Sequence, residues 1–591
     1  MAFMSEKSLE AKRHTLAHVL ASVVLEKYPH AKPTIGPAIE NGFYYDFDFS
    51  GGEAPGQDDL AKLTKQMVKR LPKWTEFDRK EITADEAREY FKDNPFKLEL
   101  IEEIEKEGEK ITFYTSGGFT DLCRGGHAEN PSKDIAKDSF VLTSVAGAYW
   151  RGDQTKPMLT RIYGVAFNNK KELDAYVEQL EKAKERDHRK LGKELDLFTF
   201  SELVGPGLPL WTPKGTVLRH ELDAFVWELR EKHGYDRITI PHITKKALYE
   251  TSGHWEKFGD ELFRIETREG KEFALKPMNC PHHTQVFARR PHSYREMPKR
   301  YAETTMVYRD EQSGELGGLT RVLSITQDDS HVFCRKNQIK DEFFRIWDII
   351  DTFYSTFGFK MRVRLSFHDP ENRDAYLGNA SVWEEAENAL RDIAKEREVD
   401  YFEAQGEAAM YGPKLDFMAT DAIGRDHQVA TIQLDFNIPD RFDLTCINED
   451  GEKERIVMIH CAVMGSLERF SAVLIEHLGG VFPLWLSPVQ VKVLPIGEGH
   501  QEFAKGVREA LVGAGVRTEL DDSKETLGKK IRDAKMQKVP YFLVVGDNEV
   551  KDKKVTVESR DLAAQAGDGK VGEMNIEEFV EKMLDQIKNR E

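Results

Sequence analysis

TTMVYRDEQSGELGGLTRVLSITQDDSH, residues Thr304–His331, reads as a strand, a Gly/Ser-rich turn and a second strand. Arg309, Glu311 and Arg321 lie on or beside this hairpin. In the second strand Gln327, Asp329 and His331 fall at alternate positions, and a period of two puts them on one face. Guanidinium forks clamp phosphate oxygens and a carboxylate accepts from amino groups, so Arg309 and Arg321 beside Glu311 suit a nucleotide. A surface hairpin with ordinary salt bridges would carry the same residues, so the decision rests on the rest of the chain.

Outward from the hairpin, residues 194–486 read as one large α+β region. A helix over Leu218–His233 leads into a short strand, Arg237–Ile240, that stops at Pro241. A helix over 338–357 feeds the strand Lys360–Phe367, and a helix over 381–397 follows. Strand patterns near 415–420, 428–436 and 455–460 precede a last helix after Gly465. Pro483 and Pro488 mark a boundary. Beyond it, residues 487–591 alternate as βαβαβ, which implies a small parallel sheet. Upstream, 1–165 mixes helix and strand, and the charge-rich stretch 166–193 reads as one connecting helix. Ala563–Gly569 reads as a short exposed loop.

At 591 residues, three or four domains are expected. No apolar run is long enough to span a bilayer and no leader pattern opens the chain, so a cytoplasmic protein with no membrane partner is expected. The five cysteines are scattered and form no CxxC pair, which argues against a disulfide framework. A net charge of −18 speaks against a surface that grips nucleic acid everywhere. Local basic stripes remain, at Lys182, Lys184, Arg186, Arg189, Lys190 and Lys193, and at Lys529, Lys530, Arg532, Lys535 and Lys538.

Gly465-Ser466-Leu467-Glu468-Arg469-Phe470 passes from a strand through a glycine turn into a helix, placing Arg469 in a first turn where backbone N–H groups favour anions. With the hairpin and the segment ending at Pro241, it resembles motifs 1, 2 and 3 of class II aminoacyl-tRNA synthetases. KPMNCPHH (276–283), TQDDSHVF (326–333), EAAMYGPKLDF (407–417), TIQLDF (431–436) and VMIHCAVMGSLERF (457–470) resemble the threonyl-tRNA synthetase family in particular. The resemblance runs over essentially the whole chain. It implies an α+β multidomain protein: an N-terminal α+β editing domain (1–165), a linker helix (166–193), a class II antiparallel-sheet catalytic core (194–486) and a C-terminal α/β anticodon-binding domain (487–591). The implied activity is ATP-dependent formation of threonyl-adenylate, transfer to tRNA(Thr), and hydrolysis of seryl-tRNA(Thr).

By spacing alone Cys280, His331 and His460 are not a metal site, and His331 reads more readily as a core histidine bonded to a carbonyl. The resemblance makes them ligands of one Zn2+ with coordination positions left open. Threonine offers an amino nitrogen and a β-hydroxyl to chelate it, whereas valine lacks the hydroxyl, and an apolar pocket separates such isosteres only about 100-fold. Asp329 would accept from the hydroxyl, Gln327 and Tyr411 would place the amino group, and Gln433 would line the pocket. Arg309 would bridge the carboxylate and the α-phosphate; Arg321, Lys414 and Arg469 would hold the polyphosphate with Mg2+; Glu311 would contact substrate.

Serine keeps both chelating groups, so a second, hydrolytic site is expected. His14 and His18 stand at i, i+4 on a helix over Leu9–Lys27, opposite the stripe Leu16, Val19, Leu20 and Val23, and read as facing solvent rather than core. Asp121-Leu122-Cys123-Arg124-Gly125-Gly126-His127 adds a Cys/His pair. Four such donors would ordinarily suggest a metal hydrolase. The resemblance instead implies metal-free editing, with Lys97 and Asp121 in the same site.

The βαβ region resembles the class II anticodon-binding domain, with Lys529–Lys538 and Gly546-Asp547-Asn548-Glu549 facing RNA. Class II cores pair through motif 1, so a homodimer around Leu218–Pro241 is expected. Four features depart from the family. His14 arrives too soon to leave room for the ubiquitin-like domain that commonly precedes the editing domain, so either the lineage lacks it or the sequence is cut. Ile325 stands where an aromatic commonly stacks on adenine, Cys461 replaces an arginine beside His460, and Arg560–Gly572 is longer than the pattern. Two other readings are a non-catalytic tRNA- or partner-binding paralogue, against which the retained arginines and zinc ligands argue, and a deacylase with a silent core.

Overall fold

The computed structural model describes residues 2–153, 155–561 and 569–591, and the chain divides into two units, Met1–Glu181 and Lys182–Glu591. In the first, the helix Ala2–Lys27 is buried all round from Leu16 to Val24. It packs on an antiparallel sheet in which Gly42–Asp48, Met158–Ala166 and Phe140–Tyr149 are neighbours. Phe43, Tyr45 and Phe47 alternate along one strand into this core, and burying each side chain contributes roughly 1.5–3 kcal/mol. Asp78–Glu81, Thr112–Ser116 and Phe119–Leu122 form a second, small sheet. The helix Pro95–Lys106 starts where the Asn94 side chain accepts from the Phe96 and Lys97 amides at 3.1 and 3.2 Å.

The single helix expected over 166–193 is two, Lys170–Arg186 and His188–Glu194. Asp187 separates them because its carboxylate accepts from the Arg189 amide at 2.8 Å, capping a new helix instead of continuing the old one.

The second unit is built on an eight-stranded sheet. Its order is Asp236–Arg237, Lys299–Tyr308, Ser324–Cys334, Val457–Ala462, Asp426–Asp435, Lys414–Thr420, Lys360–Phe367 and Tyr401–Gln405. The inner pairs are antiparallel and both edge strands are parallel to their neighbours. The helices Pro213–Lys232, Ile339–Ser355 and Leu467–Leu478 share one core with the sheet, through Leu222, Phe225, Ile350, Phe353, Ile432, Ile459 and Phe470. The first of these helices begins before the expected Leu218 because Thr212 caps it and Pro213 opens it. The strand after it is only Asp236–Arg237, since the Ile240 amide turns to the Glu303 carboxylate at 3.2 Å and leaves the ladder.

Residues 491–575 form a mixed sheet, not the all-parallel one expected. Thr518–Leu520, Val491–Pro495 and Tyr541–Val545 are parallel, and Lys554–Ser559 and Lys570–Asn575 extend them antiparallel. The basic stripe there is not one RNA-facing surface. Lys530 is buried and donates to the carbonyls of Pro495 and Asp521 at 3.1 and 3.0 Å, and Lys538 donates to the Gly479 carbonyl. Glu549 is likewise turned inward, accepting from the Gly546 amide at 2.8 Å and the Thr556 hydroxyl at 2.6 Å. Arg532 and Lys535 remain exposed. In the two segments read as long or loop-like near this edge, 562–568 lie outside the described residues.

Candidate functional site

The hairpin forms as strands Lys299–Tyr308 and Ser324–Cys334 around the loop 309–323. Thr326, Asp328 and Ser330 point to the helix side and are buried; Gln327, Asp329 and His331 point to the other side. On that side lies a cavity of about 490 Å3. Arg309, Glu311 and Arg321 reach it from the loop, Ile325, Gln327 and Gln433 from the sheet, and Arg469 from the last helix. Arg321 Nη2 is 2.6 Å from Glu311 Oε2, and the Arg309 guanidinium lies 5.3 Å from the centre of the Phe258 ring. Lys414 is not on the wall: it stands opposite Gln433 in register and lies 3.5 Å from Asp416.

Asp328, to which the sequence reading gave no role, holds the turn that launches the Arg469 helix. Its fully buried carboxylate accepts from the amides of Val463, Met464 and Gly465 at 2.8, 3.0 and 3.0 Å, and Arg230 Nη2 lies 3.2 Å away. Gly465 sits at φ +77, which a side chain would strain. The Ser466 hydroxyl then caps the helix by accepting from the Arg469 amide at 3.2 Å. The available signal was an acid on the core face of a strand, where an unpaired charge would be costly.

His331, His460 and Gln433 occupy one rung across three adjacent strands. The ligand atoms of Cys280, His331 and His460 all lie within 4.8 Å of one another, and all three residues are buried. His331 Nε2 and His460 Nδ1 face each other at 3.0 Å. Their outer nitrogens are taken: His331 Nδ1 lies 2.7 Å from His283 Nδ1, and His460 Nε2 lies 2.9 Å from Asp435 Oδ2. This is the outer-shell pattern that orients imidazoles toward a cation. Burial holds His331 well below its ordinary value and Cys280 well above, so the histidine is neutral and the sulfur protonated until a cation displaces the proton. One thiol and two imidazoles are a donor set suited to zinc. Tyr411 stacks on the His460 ring at 4.5 Å and its hydroxyl is 2.5 Å from Gln433 Oε1, while Asn279 Nδ2 donates to Asp329 at 3.0 Å. His254, His283, Asn279 and Asp435 were not singled out in the sequence: Asn279 and His283 flank Cys280 at the start of the helix Cys280–Ala288, and only the fold brings His254 and Asp435 to them from separate elements. His254 Nε2 lies 3.5 Å from Cys280 Sγ. Cys461 points to the opposite face, into the helix-side core, and does not touch this group.

In the first unit, His14, His18, Cys123 and His127 also bring their donor atoms within 4.8 Å of one another. Cys123 Sγ is 3.5 Å from His14 Nε2 and 3.3 Å from His127 Nε2, and the two helix histidines are 3.3 Å apart. His18 does not face solvent as expected; it is buried, because that helix packs on more than its apolar stripe. Lys97 Nζ lies 2.5 Å from Asp121 Oδ1, and Asp121 Oδ2 accepts from the Tyr45 hydroxyl at 2.6 Å and lies 3.4 Å from His18. Gly125 and Gly126, at φ +98 and +84, turn the loop so that Cys123 and His127 meet; a Cβ on Gly125 would sit 2.5 Å from the Tyr114 hydroxyl. Burial, aided by neighbouring His18, pulls His127 down to about 2, and burial pushes Cys123 up to about 11. The cluster is therefore neutral near pH 7 beside one buried ion pair.

Residues 263–478 match the tRNA synthetase class II core domain (G, H, P, S and T), and residues 490–586 match an anticodon binding domain. The threonine–tRNA ligase of Porphyromonas gingivalis is 49% identical over 97% of this chain and 87% of its own length. That of Acetivibrio thermocellus is 47% identical over 100% of this chain and 91% of its own. The crystal structure of the RNA binding domain of threonyl-tRNA synthetase from Cryptosporidium parvum matches with a TM-score of 0.64 at 39% identity, over 68% of this chain and 98% of that one.

Proposed function

Because the chain belongs to the threonine–tRNA ligases, we propose that its arginine-lined cavity takes ATP with Mg2+ and that Cys280, His331 and His460 hold zinc. The enzyme activates L-threonine to threonyl-adenylate and transfers the threonyl group to tRNA(Thr). The observation that carries the residue-level reading is the rung His331–His460–Gln433, which lies on the sheet face shared with the cavity of Arg309, Arg321 and Arg469.

In activation, a threonine carboxylate oxygen attacks the α-phosphorus, the bond to the bridging oxygen breaks, and pyrophosphate leaves. Arg309 neutralises carboxylate and α-phosphate together, while Arg321 and Arg469 hold the outgoing charge. Positioning and fixed charge carry the step, so no general base is required. Lys414 would leave Asp416 to join them. Zinc, when bound, would supply a Lewis-acid anchor for an amino acid bearing both an α-amine and a β-hydroxyl. Asp329, steadied by Asn279, accepts from that hydroxyl, and Gln327, Tyr411 and Gln433 shape the space for the amine. Glu311 meets the nucleotide from the loop. In transfer, a terminal ribose hydroxyl of the tRNA attacks the carbonyl carbon and AMP departs.

His14, His18, Lys97, Asp121, Cys123 and His127 form the site that hydrolyses seryl-tRNA(Thr). Lys97 already supplies a buried cation to this cluster, which favours hydrolysis without a metal; the four converging donors favour a metal-dependent variant, and metal content separates the two. Residues 1–165 edit, 166–193 link, 194–486 activate and 487–591 bind the anticodon. The exposed edge strand Asp236–Arg237 supports a homodimer through this segment, in the cytoplasm. The test is separation of the two sites. Cys123→Ala abolishes seryl-tRNA hydrolysis and spares threonine activation, and Cys280→Ser does the reverse. Joint loss in both variants would defeat the assignment.

A further inference from the structure

We propose that His188 is a positioning residue for the nucleotide: it ties the loop 309–323 to the helix Leu467–Leu478, and so fixes where Arg321 stands. His188 opens the helix His188–Glu194 and is 5% exposed. Its backbone N–H donates to Glu476 Oε1 at 3.1 Å, and its Nδ1 lies 2.7 Å from the same oxygen. The other Glu476 oxygen accepts from Arg425 at 2.6 Å, and Arg425 also pairs with Asp421 at 2.7 Å. A carboxylate held between such donors accepts only, so the ring proton sits on Nδ1 and Nε2 is left as an acceptor. The Leu319 amide donates to that nitrogen at 3.1 Å. An amide can only donate, so both ring contacts demand the same neutral tautomer.

The approach is close. Gly318 sits at φ +57, and a Cβ there would lie 2.4 Å from His188 Nε2. Leu319 is fully buried in the core, and the Gly317 amide donates to the Arg321 carbonyl at 3.2 Å, closing a turn around the tethered residue. The loop is thus pinned beside Arg321, which pairs with Glu311 on the cavity wall. Asp187, His188 and Glu476 also meet the spacing of a metal site. Both His188 nitrogens are engaged, however, and the Asp187 carboxylate is turned to Arg189 Nη2 at 2.6 Å, so the trio works as a tether.

The proposal rests on the reading of the cavity as the ATP site, and the test separates the two. In H188N the amide NH2 keeps the donation to Glu476 and the bond to Leu319 is lost. In H188Q the amide oxygen reaches the position of Nε2 and the bond to Glu476 is lost. With the full chain in ATP–pyrophosphate exchange, H188N raises KM for ATP about tenfold with KM for threonine within about twofold, and H188Q restores most of the difference. Hydrogen exchange of a peptide covering 316–323 quickens in H188N and not in H188Q. Were His188 only a helix anchor, H188Q would be the worse variant on both readouts, and that overturns the proposal. Unchanged exchange in H188N overturns the tether itself. Faster exchange with an unchanged KM for ATP overturns the positioning role and places the fault in the assignment of this loop to ATP.

Discussion

Replacing Lys97 by methionine tests the first-unit cluster at its most exposed energetic point. Lys97 and Asp121 are a buried pair, with side chains 2% and 3% exposed and 2.5 Å between charged atoms. Methionine keeps the length and apolar stem of lysine and removes the charge. Asp121 then keeps the Tyr45 hydroxyl at 2.6 Å, the Leu122 amide at 2.8 Å and the His18 ring at 3.4 Å, none of them a lysine's positive charge. Leaving one member of a buried pair uncompensated costs about 3–5 kcal/mol. The alternative is to protonate the acid. For an ordinary aspartate at pH 7.5 that costs about 5 kcal/mol, from about 3.6 pH units at about 1.36 kcal/mol each, which sets a ceiling. The signature is the pH dependence. A carboxyl that takes up a proton in the folded variant makes the variant most stable in acid, and its deficit against the parent grows as pH rises, by up to about 1.4 kcal/mol per unit. Chemical denaturation of both proteins at pH 5.5 and 7.5, followed by a first-unit tryptophan such as Trp74, reads this directly. Seryl-tRNA hydrolysis is lost and threonine activation is retained. A deficit below about 1 kcal/mol, equal at both pH values, would refute the buried-pair account.

Elemental analysis of purified protein is expected to give one zinc per chain, falling toward zero in Cys280→Ala and staying at one in Cys123→Ala, whereas a second zinc lost in Cys123→Ala would make the N-terminal cluster a metal site. Asp328→Asn leaves the Arg230 guanidinium unpaired and one of the three turn amides facing a donor, so the second unit loses about 3–5 kcal/mol and activation falls with it; an unchanged denaturation midpoint contradicts this. Burial holds His127 down to about 2, His254 to about 3 and His282 to about 4. A depressed folded value means the unfolded chain binds the proton more readily. The stability these groups contribute is complete above about 6.5 and drains as pH falls below it, by about 1.3 kcal/mol per group between pH 7.0 and 5.5; superimposable denaturation curves at those two pH values would contradict the burial.

The strand faces of the central sheet were readable because their chemistry obeys a period of two. Gln327, Asp329 and His331 face the cavity side, and the same rule applied to His460 would have placed Cys461 on the far side, away from the ligand group. The HxxxH spacing gave the pairing of His14 and His18 but not the burial of His18, since a helix packed on several sides has no clean solvent face to read. Lys530 defeated a charge-run reading for a related reason: its ammonium ends on two backbone carbonyls, partners that have no sequence signature. The βαβαβ reading of the C-terminal region ends at Tyr541–Val545, so the two outer antiparallel strands, six residues each, lie beyond it. Asp187 looked like one more acid in a charged helix, and only its side-chain cap reveals the break that sets His188 against Glu476.

The most direct measurement is amino-acid-dependent ATP–pyrophosphate exchange with threonine, serine and valine, before and after removal of zinc by a chelator. Strong exchange with threonine, weaker with serine, none with valine, and loss of the threonine signal on chelation with recovery on adding zinc is the predicted result. Exchange that persists undiminished in zinc-free protein, or that accepts valine as readily as threonine, would contradict selection of threonine at Cys280, His331 and His460.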